Sequence, residues 1–194
     1  MTRIHVLVMA AMCLPTALSA QQSPAPAQPA TNPIVQSFRD FGGHYGGLLL
    51  VAFDSIPASR YGYRPTPSQQ SVGHIAQHLE SANYTLCERI GGMKHPTGPK
   101  DSLADTIKAT WPKDTLVARL RTSLLFCRDA FARLDDAKLT DAVPEGPPES
   151  GQTSPRVRSL LYFVTDLAEH YSQIASYMRL MGMIPPSALP RPNR

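Results

Sequence analysis

The chain lacks the short motifs that mark several common enzyme classes. No G-x-S-x-G nucleophile turn, phosphate-binding G-x-x-x-x-G-K-[ST] loop, G-x-G-x-x-G after a strand, or C-x-x-C-H occurs in its 194 residues. These absences argue against a serine hydrolase of the nucleophile-elbow type, a P-loop nucleotide site, a dinucleotide fingerprint and attached haem. Only three cysteines are present, and none forms a C-x-x-C pair. Motif-based redox and zinc-ribbon chemistry is therefore excluded as well.

Strong charge and long apolar runs are also missing. The chain has 19 basic and 15 acidic residues, with a formal net charge of +4, and no basic stripe is interleaved with aromatic residues. Nucleic acid is therefore not an expected partner. The longest apolar run, residues 4–18, is shorter than the ~20 residues that a membrane span requires. Once this N-terminal segment is removed, we expect no stable membrane span.

The N-terminal residues are typical of an export signal. Arg3 precedes the apolar run, and small residues follow it up to Ala20. This order of basic start, apolar core and small-residue exit predicts a secretory signal peptide at 1–20. A Pro-rich leader at 21–32 follows it. We therefore expect the protein to be exported, either to the periplasm or out of the cell.

Two cysteines remain after removal of the signal peptide, and the sequence leaves two interpretations open. In an oxidising compartment Cys87 and Cys127 can form a disulfide. Alternatively, both are buried thiols that pack as small hydrophobic side chains. The required geometry cannot be read from sequence.

The remaining chain shows four apolar stripes at helical spacing and no competing β pattern. The stripes predict helices over 33–55, from 68 or 71 to 90, over 114–136 and over 154–182. Stripes of similar length joined by loops predict an all-α four-helix bundle over 33–186. Between the helices we expect a short helical piece at 102–110 and a loop at 142–154. The tail, 187–194, is expected to be extended.

Glycines weaken the first predicted helix. Gly42, Gly43, Gly46 and Gly47 all lie within it, and each costs about 1 kcal/mol relative to alanine in a helix interior. They either permit close packing against a neighbour or mark a break near His44.

Two pairs of polar residues lie at the edges of two apolar stripes. His74 and His78 lie in the second predicted helix, and Asp166 and His170 lie in the fourth. Residues four apart share one face of a helix. Each pair therefore points sideways, towards a neighbouring helix, and together they are a candidate site for a divalent metal.

Segments around both pairs resemble a known family. Residues 71–79 read SVGHIAQHL and are preceded by YRPTP, while 170–174 read HYSQI and are followed by YMRLMGMIPP at 177–186. In this order and spacing they resemble the signatures of the DinB-like superfamily, over about 33–186. The resemblance implies a four-helix bundle and a divalent metal, typically zinc or nickel.

The family's usual ligands are one histidine of the second helix and an H-x-x-x-H pair of the last. Carried onto this chain, the resemblance assigns His78 and His170, and it places Asp166 where most relatives have histidine. Two histidines with one carboxylate also suit zinc or iron. His74 and Gln173 are candidates to support the ligands or to touch a substrate. Arg179 is either an anion-binding residue or a helix-end residue.

The resemblance also bears on activity, since some relatives use a low-molecular-weight thiol. We expect a metal-dependent enzyme in which an activated water or thiol acts on a small molecule, as a transferase or a hydrolase. The alternatives are a non-catalytic exported bundle that binds a metal or small ligand, and a structural bundle without metal. A homodimer through a helix face is a further expectation.

Overall fold

Four long helices form the structure, a computed structural model that describes residues 31–146 and 148–190. The predicted signal peptide and residues 21–30 of the leader lie outside the described residues. The long helices are α1 (Pro33–Ser55), α2 (Val72–Gly91), α4 (Lys113–Phe131) and α5 (Arg156–Leu180), and a single turn, α3 (Asp105–Lys108), precedes α4. The predicted all-α four-helix bundle is confirmed. None of the described helices is both long and apolar enough to cross a membrane.

Specific side chains determine where the helices begin and end. The hydroxyl of Ser71 accepts a hydrogen bond from the His74 amide at the start of α2, and Gly92 ends that helix with a φ of 61°. The first amides of α1 donate to the carboxylate of Asp136, 3.1 Å from Ile34 N and 2.8 Å from Val35 N. An acidic group at this position satisfies free amides and complements the helix dipole.

Helix α2 packs against both α4 and α5, and α1 covers the other side of α4 and α5. The apolar stripes turn inward to form one core. Its largest fully buried apolar residues are Leu49, Phe53, Ile56, Ile75, Leu79, Ile90, Leu116, Leu120, Phe131, Leu160, Leu167 and Tyr177. Because the buried faces of α2 and α5 meet, the polar residues at the edges of those faces come together.

The glycines of α1 permit close packing, since the helix runs unbroken past His44. A Cβ at Gly42 would lie 2.7 Å from the Phe163 ring, and one at Gly46 would lie 3.0 Å from a Leu124 methyl. Gly43 and Gly47 differ, because a Cβ at either position would have no described atom within 4 Å. Packing within this chain therefore explains only two of the four glycines.

A small hairpin replaces part of the predicted loop at 142–154. Strand β1 (Ala142–Pro144) pairs antiparallel with β2 (Thr153–Pro155), with Val143 opposite Ser154. Val143 is buried. Three-residue strands are too short for an alternating pattern to be recognised, and the prolines in both strands are typical of loops.

Two predicted boundaries also differ. Helix α4 ends at Phe131 rather than at 136. Arg39 Nη2 donates to the Phe131 carbonyl at 3.0 Å. That carbonyl therefore has a partner without a further helical turn. In the predicted extended tail, Pro186–Ala188 form a 3-10 turn, and 191–194 lie outside the described residues.

A disulfide joins α2 to α4 through Cys87 and Cys127, with their Cα atoms 5.1 Å apart. Both residues are buried. Of the two interpretations left open by the sequence, the structure therefore has the disulfide.

Candidate metal centre

Three side chains from two helices converge between α2 and α5. His78 extends from α2, and Asp166 and His170 extend from successive turns of α5. A carboxylate oxygen of Asp166 lies 3.5 Å from Nε2 of His78 and 3.4 Å from Nε2 of His170. The two imidazole rings meet edge to face, with centroids 4.8 Å apart. The structure thus brings together the three residues that the sequence analysis assigned as metal ligands.

The spacing of these atoms suits a shared cation better than direct hydrogen bonds. A charge-assisted hydrogen bond between nitrogen and oxygen is about 2.7–2.9 Å long, shorter than both contacts to Asp166. Two ligands of a tetrahedral zinc with bonds of about 2.0–2.1 Å lie roughly 3.4 Å apart. One candidate ligand atom from each residue lies within 4.8 Å of the other two. Two imidazoles and a carboxylate therefore fit a divalent ion.

The carboxylate of Asp166 also has features that suit a metal ligand. Its Oδ2 is buried and accepts no hydrogen bond from any residue that the structure describes. Burial raises the pKa of Asp166, but the imidazoles of His170 and then His78 outweigh it and lower the pKa to about 2. Asp166 is therefore a partly buried anion at neutral pH, with Oδ1 near two imidazoles and Oδ2 without a described hydrogen-bond partner.

A hydrogen-bonded chain holds His170 from behind. Nδ1 of His170 lies 2.9 Å from Oε1 of Gln173, whose Nε2 donates to the Tyr177 hydroxyl at 3.1 Å. That hydroxyl donates to the carbonyl of Gln70, also at 3.1 Å. The chain therefore connects the candidate ligand to the segment just before α2.

This chain determines which nitrogen of His170 carries a proton. The Gln70 carbonyl can only accept, so the Tyr177 hydroxyl donates to it and accepts from the amide nitrogen of Gln173. Gln173 must then present its oxygen to His170, and Nδ1 of His170 must be protonated. In the neutral ring the lone pair lies on Nε2, which faces Asp166 and His78. The second nitrogen of a ligating histidine commonly has such a partner.

Solvent reaches the cluster from the His78 side. The side chain of His78 is 41% exposed, whereas that of His170 is 13% exposed. A small molecule can therefore approach past His78, while His170 and Asp166 are less exposed.

The other candidate residues take different positions. His74 is partly buried in the first turn of α2 and is not one of the three residues whose ligand atoms converge. Arg179 is exposed in the last turn of α5, nine residues or roughly 13 Å along the axis from His170. Gln173 touches His170 directly, as one of its predicted roles requires.

Neither Tyr177 nor Gln70 has a role that was predicted from the sequence. The four-residue spacing between Gln173 and Tyr177 is a signal that points to their contact. No pattern in the sequence indicates that the carbonyl of Gln70 completes the chain, because its contact with Tyr177 spans 107 positions.

We expect Asp166→Asn to lower the pKa of His170 in protein freed of metal by chelation. Burial lowers this pKa, but the Asp166 carboxylate and the Gln173 amide outweigh it, so that it lies above the ordinary value. Removing the carboxylate leaves burial opposed only by Gln173 and weaker charges. The measurement is an NMR titration of the imidazole C–H signals, assigned with a His170→Gln variant.

Glu169→Gln is the matched control, because Glu169 is the weakest contributor to the same shift. An equal fall in both variants would contradict the assignment to Asp166. A raised folded-state pKa stabilises the fold fully below the unfolded value of about 6.5. In the metal-free parent this contribution is lost as the pH rises through the folded-state pKa, and Asp166→Asn should remove that dependence.

Comparison with known proteins supports the fold. The family model described as the DinB superfamily matches residues 47–174. A DinB-like protein from Bacillus cereus superposes with a TM-score of 0.60 at 16% identity, covering 78% of this chain and 95% of that one. A conserved protein from Enterococcus faecalis gives 0.55 at 14% identity, covering 75% and 95%.

A third solved structure has an enzymatic name. The mycothiol-dependent maleylpyruvate isomerase superposes with a TM-score of 0.54 at 14% identity, covering 73% of this chain and 59% of the isomerase. No curated protein matches the chain significantly. At such identities the structural likeness shows the fold alone. The family match spans well over half of the chain and includes His78, Asp166 and His170, so this chain belongs to the DinB superfamily.

Proposed function

We propose that the protein binds one divalent metal ion through His78, Asp166 and His170 and uses it in a reaction on a small molecule. Zinc, nickel and iron are the candidate ions, since each accepts imidazole nitrogen and carboxylate oxygen. The carrying observation is that one ligand atom from each of these residues lies within 4.8 Å of the other two. The second carboxylate oxygen of Asp166, Oδ2, is buried and accepts no hydrogen bond from the described residues.

Each residue of the site has a distinct role in this proposal. Asp166 supplies the negative charge and is ionised at neutral pH because its pKa is near 2. His170 is oriented by Gln173, so that Nε2 faces the site. His78 forms the exposed side, where a substrate enters. When bound, a divalent ion with an open position supplies Lewis acidity that lowers the pKa of a water or thiol.

The reaction class that fits is hydrolysis or group transfer. The three converging residues are two histidines and an aspartate, so in this proposal the attacking group is a water or a thiol that comes from outside. The fold shared with a mycothiol-dependent isomerase makes a thiol cosubstrate one candidate. Water is the other, and it suits an exported protein that meets little low-molecular-weight thiol.

We also propose that the protein works outside the cytoplasm. The N-terminal sequence has the order of a signal peptide. The Cys87–Cys127 disulfide supports this location, since such bonds persist mainly in oxidising compartments.

Elemental analysis tests the metal site. The mature protein is purified without chelator and without a histidine tag, beside a His78→Ala, His170→Ala variant. We expect close to one zinc, nickel or iron per chain in the parent and almost none in the variant. The variant should keep its helical circular dichroism, because both side chains are partly exposed at the edge of the core. His74→Ala is the matched control and should retain the metal, since His74 lies outside the cluster.

The same preparations then separate catalysis from binding alone. A metal-loaded parent that hydrolyses model esters or amides, or transfers thiols, while the double variant does not, supports the enzyme. Absence of metal from the parent even after reconstitution would overturn the proposal. Metal without turnover would favour the non-catalytic binding bundle.

A further inference from the structure

A groove lies on the opposite side of the bundle from the metal cluster, and its residues have no role in the proposed reaction. It lies between α1 and α4 and encloses about 410 Å³, within the range of about 300–1,000 Å³ typical of ligand pockets. Gly43, Gly47 and Leu50 of α1 form one wall. Leu124 and Leu125 of α4 form the other, and Phe163 of α5 lies at the base.

The outer glycines leave this groove open. A Cβ at Gly43 or Gly47 would project into space with no described atom within 4 Å. Packing inside the chain therefore gives no reason for their glycine identity, in contrast to Gly42 and Gly46. A frequent use of glycine is to let a ligand approach the backbone closely. The apolar wall residue Leu125 is 46% exposed, so the groove presents apolar surface to solvent.

Three guanidinium groups border the groove, those of Arg39, Arg121 and Arg128. Arg121 and Arg128 each face a carboxylate, Asp54 at 3.9 Å and Asp129 at 3.0 Å. Arg39 bonds to two neutral oxygens, the side chain of Gln36 and the carbonyl of Phe131, both at 3.0 Å. Its charge has no carboxylate partner within the described part of the chain, and it retains free N–H donors.

We propose that this groove binds a small amphiphilic anion, such as a fatty acid, with its chain along the glycine wall and its carboxylate at Arg39. The charge of the rim decides between occupants. Among the three arginines, only Arg39 has no carboxylate partner in the described part of the chain, so an anionic occupant is favoured over a neutral one. A carboxylate with an apolar chain complements both the guanidinium groups and the apolar walls.

Isothermal titration with decanoate tests the proposal, and decanol serves as the uncharged analogue. Both are used below the concentration at which micelles form. We expect one decanoate per chain and at least tenfold weaker binding of decanol. Arg39→Gln should weaken decanoate binding about tenfold, whereas Arg133→Gln, the exposed control outside the groove, should leave it unchanged.

Gly47→Leu provides a variant that fills the groove without disturbing the core. Because Gly47 has free space around it and leucine favours helix, the melting temperature should not fall, while decanoate binding should weaken at least tenfold. Unchanged binding in Gly47→Leu, or equal binding of decanol and decanoate, would overturn the proposal. A parent dimer in sedimentation velocity that Gly47→Leu converts to monomer would also overturn it and assign the groove to a second copy.

Discussion

Replacing both bridging cysteines, as Cys87→Ala and Cys127→Ala together, is expected to lower the free energy of unfolding by about 4 kcal/mol. The bond joins residues 40 positions apart, and a loop of this length restricts the unfolded chain by about that amount. Cys87 and Cys127 are buried, so that alanine also leaves small voids at the contact between α2 and α4. The expected loss therefore exceeds the ~0.5–3 kcal/mol of most single substitutions.

Chemical unfolding in guanidinium, followed by circular dichroism, measures the effect. The control is the parent protein unfolded in the presence of a strong reductant, which removes the crosslink but retains the sulfur atoms. The alanine variant and the reduced parent should both unfold at a clearly lower denaturant concentration than the oxidised parent. The midpoint of the reduced parent should be closer to that of the oxidised parent, because its core is not truncated. Equal midpoints for all three samples would show that the crosslink adds no stability.

Gln173→Leu is expected to weaken metal binding by 10- to 100-fold, as is typical when a group that orients a ligating histidine is lost. In the parent, Oε1 of Gln173 holds the Nδ1 proton of His170, so that Nε2 faces Asp166 and His78. Leucine cannot accept a hydrogen bond from Nδ1, so His170 is free to rotate or to change tautomer. Tyr177→Phe should have a smaller effect in the same direction, since Gln173 then loses the partner that fixes its orientation.

Competition with a fluorescent zinc chelator gives the affinities. Ser176→Ala is the matched control, because it removes a side-chain hydrogen bond from the exposed face of the same helix without touching His170. The melting temperature of the metal-free variants separates orientation from folding. Affinity that falls only in proportion to the melting temperature would contradict the orienting role of Gln173.

Much of the fold follows from the spacing of apolar residues. The stripe with Leu160, Leu167 and Ile174 is buried along α5 as predicted. The start of α2 also follows from a capping residue, since Ser71, one of the two predicted starts, is its N-cap. At the early end of α4, the Phe131 carbonyl accepts from Arg39, which lies 92 positions away. Contacts over such separations, and hairpins of three-residue strands, leave no local pattern to detect.

The candidate site divides in the same way. Asp166 and His170 are one turn apart on one helix, so their sharing of a face could be predicted from position alone. That His78 meets them depends on how α2 and α5 pack, which came from the family resemblance rather than from spacing. The orienting chain behind His170 was only partly accessible, because its last member is a backbone carbonyl in a loop.

Helix α2 contributes to both crosslinks of the bundle, the disulfide to α4 through Cys87 and the proposed metal bridge to α5 through His78. The two residues are nine positions apart on this helix, so reduction of the disulfide and binding of a metal would act on the same element. Whatever factor the disulfide adds to metal affinity, the bound metal must add to the resistance of the disulfide to reduction. Thiol reductants and the supply of metal would therefore act on the same helix of the bundle.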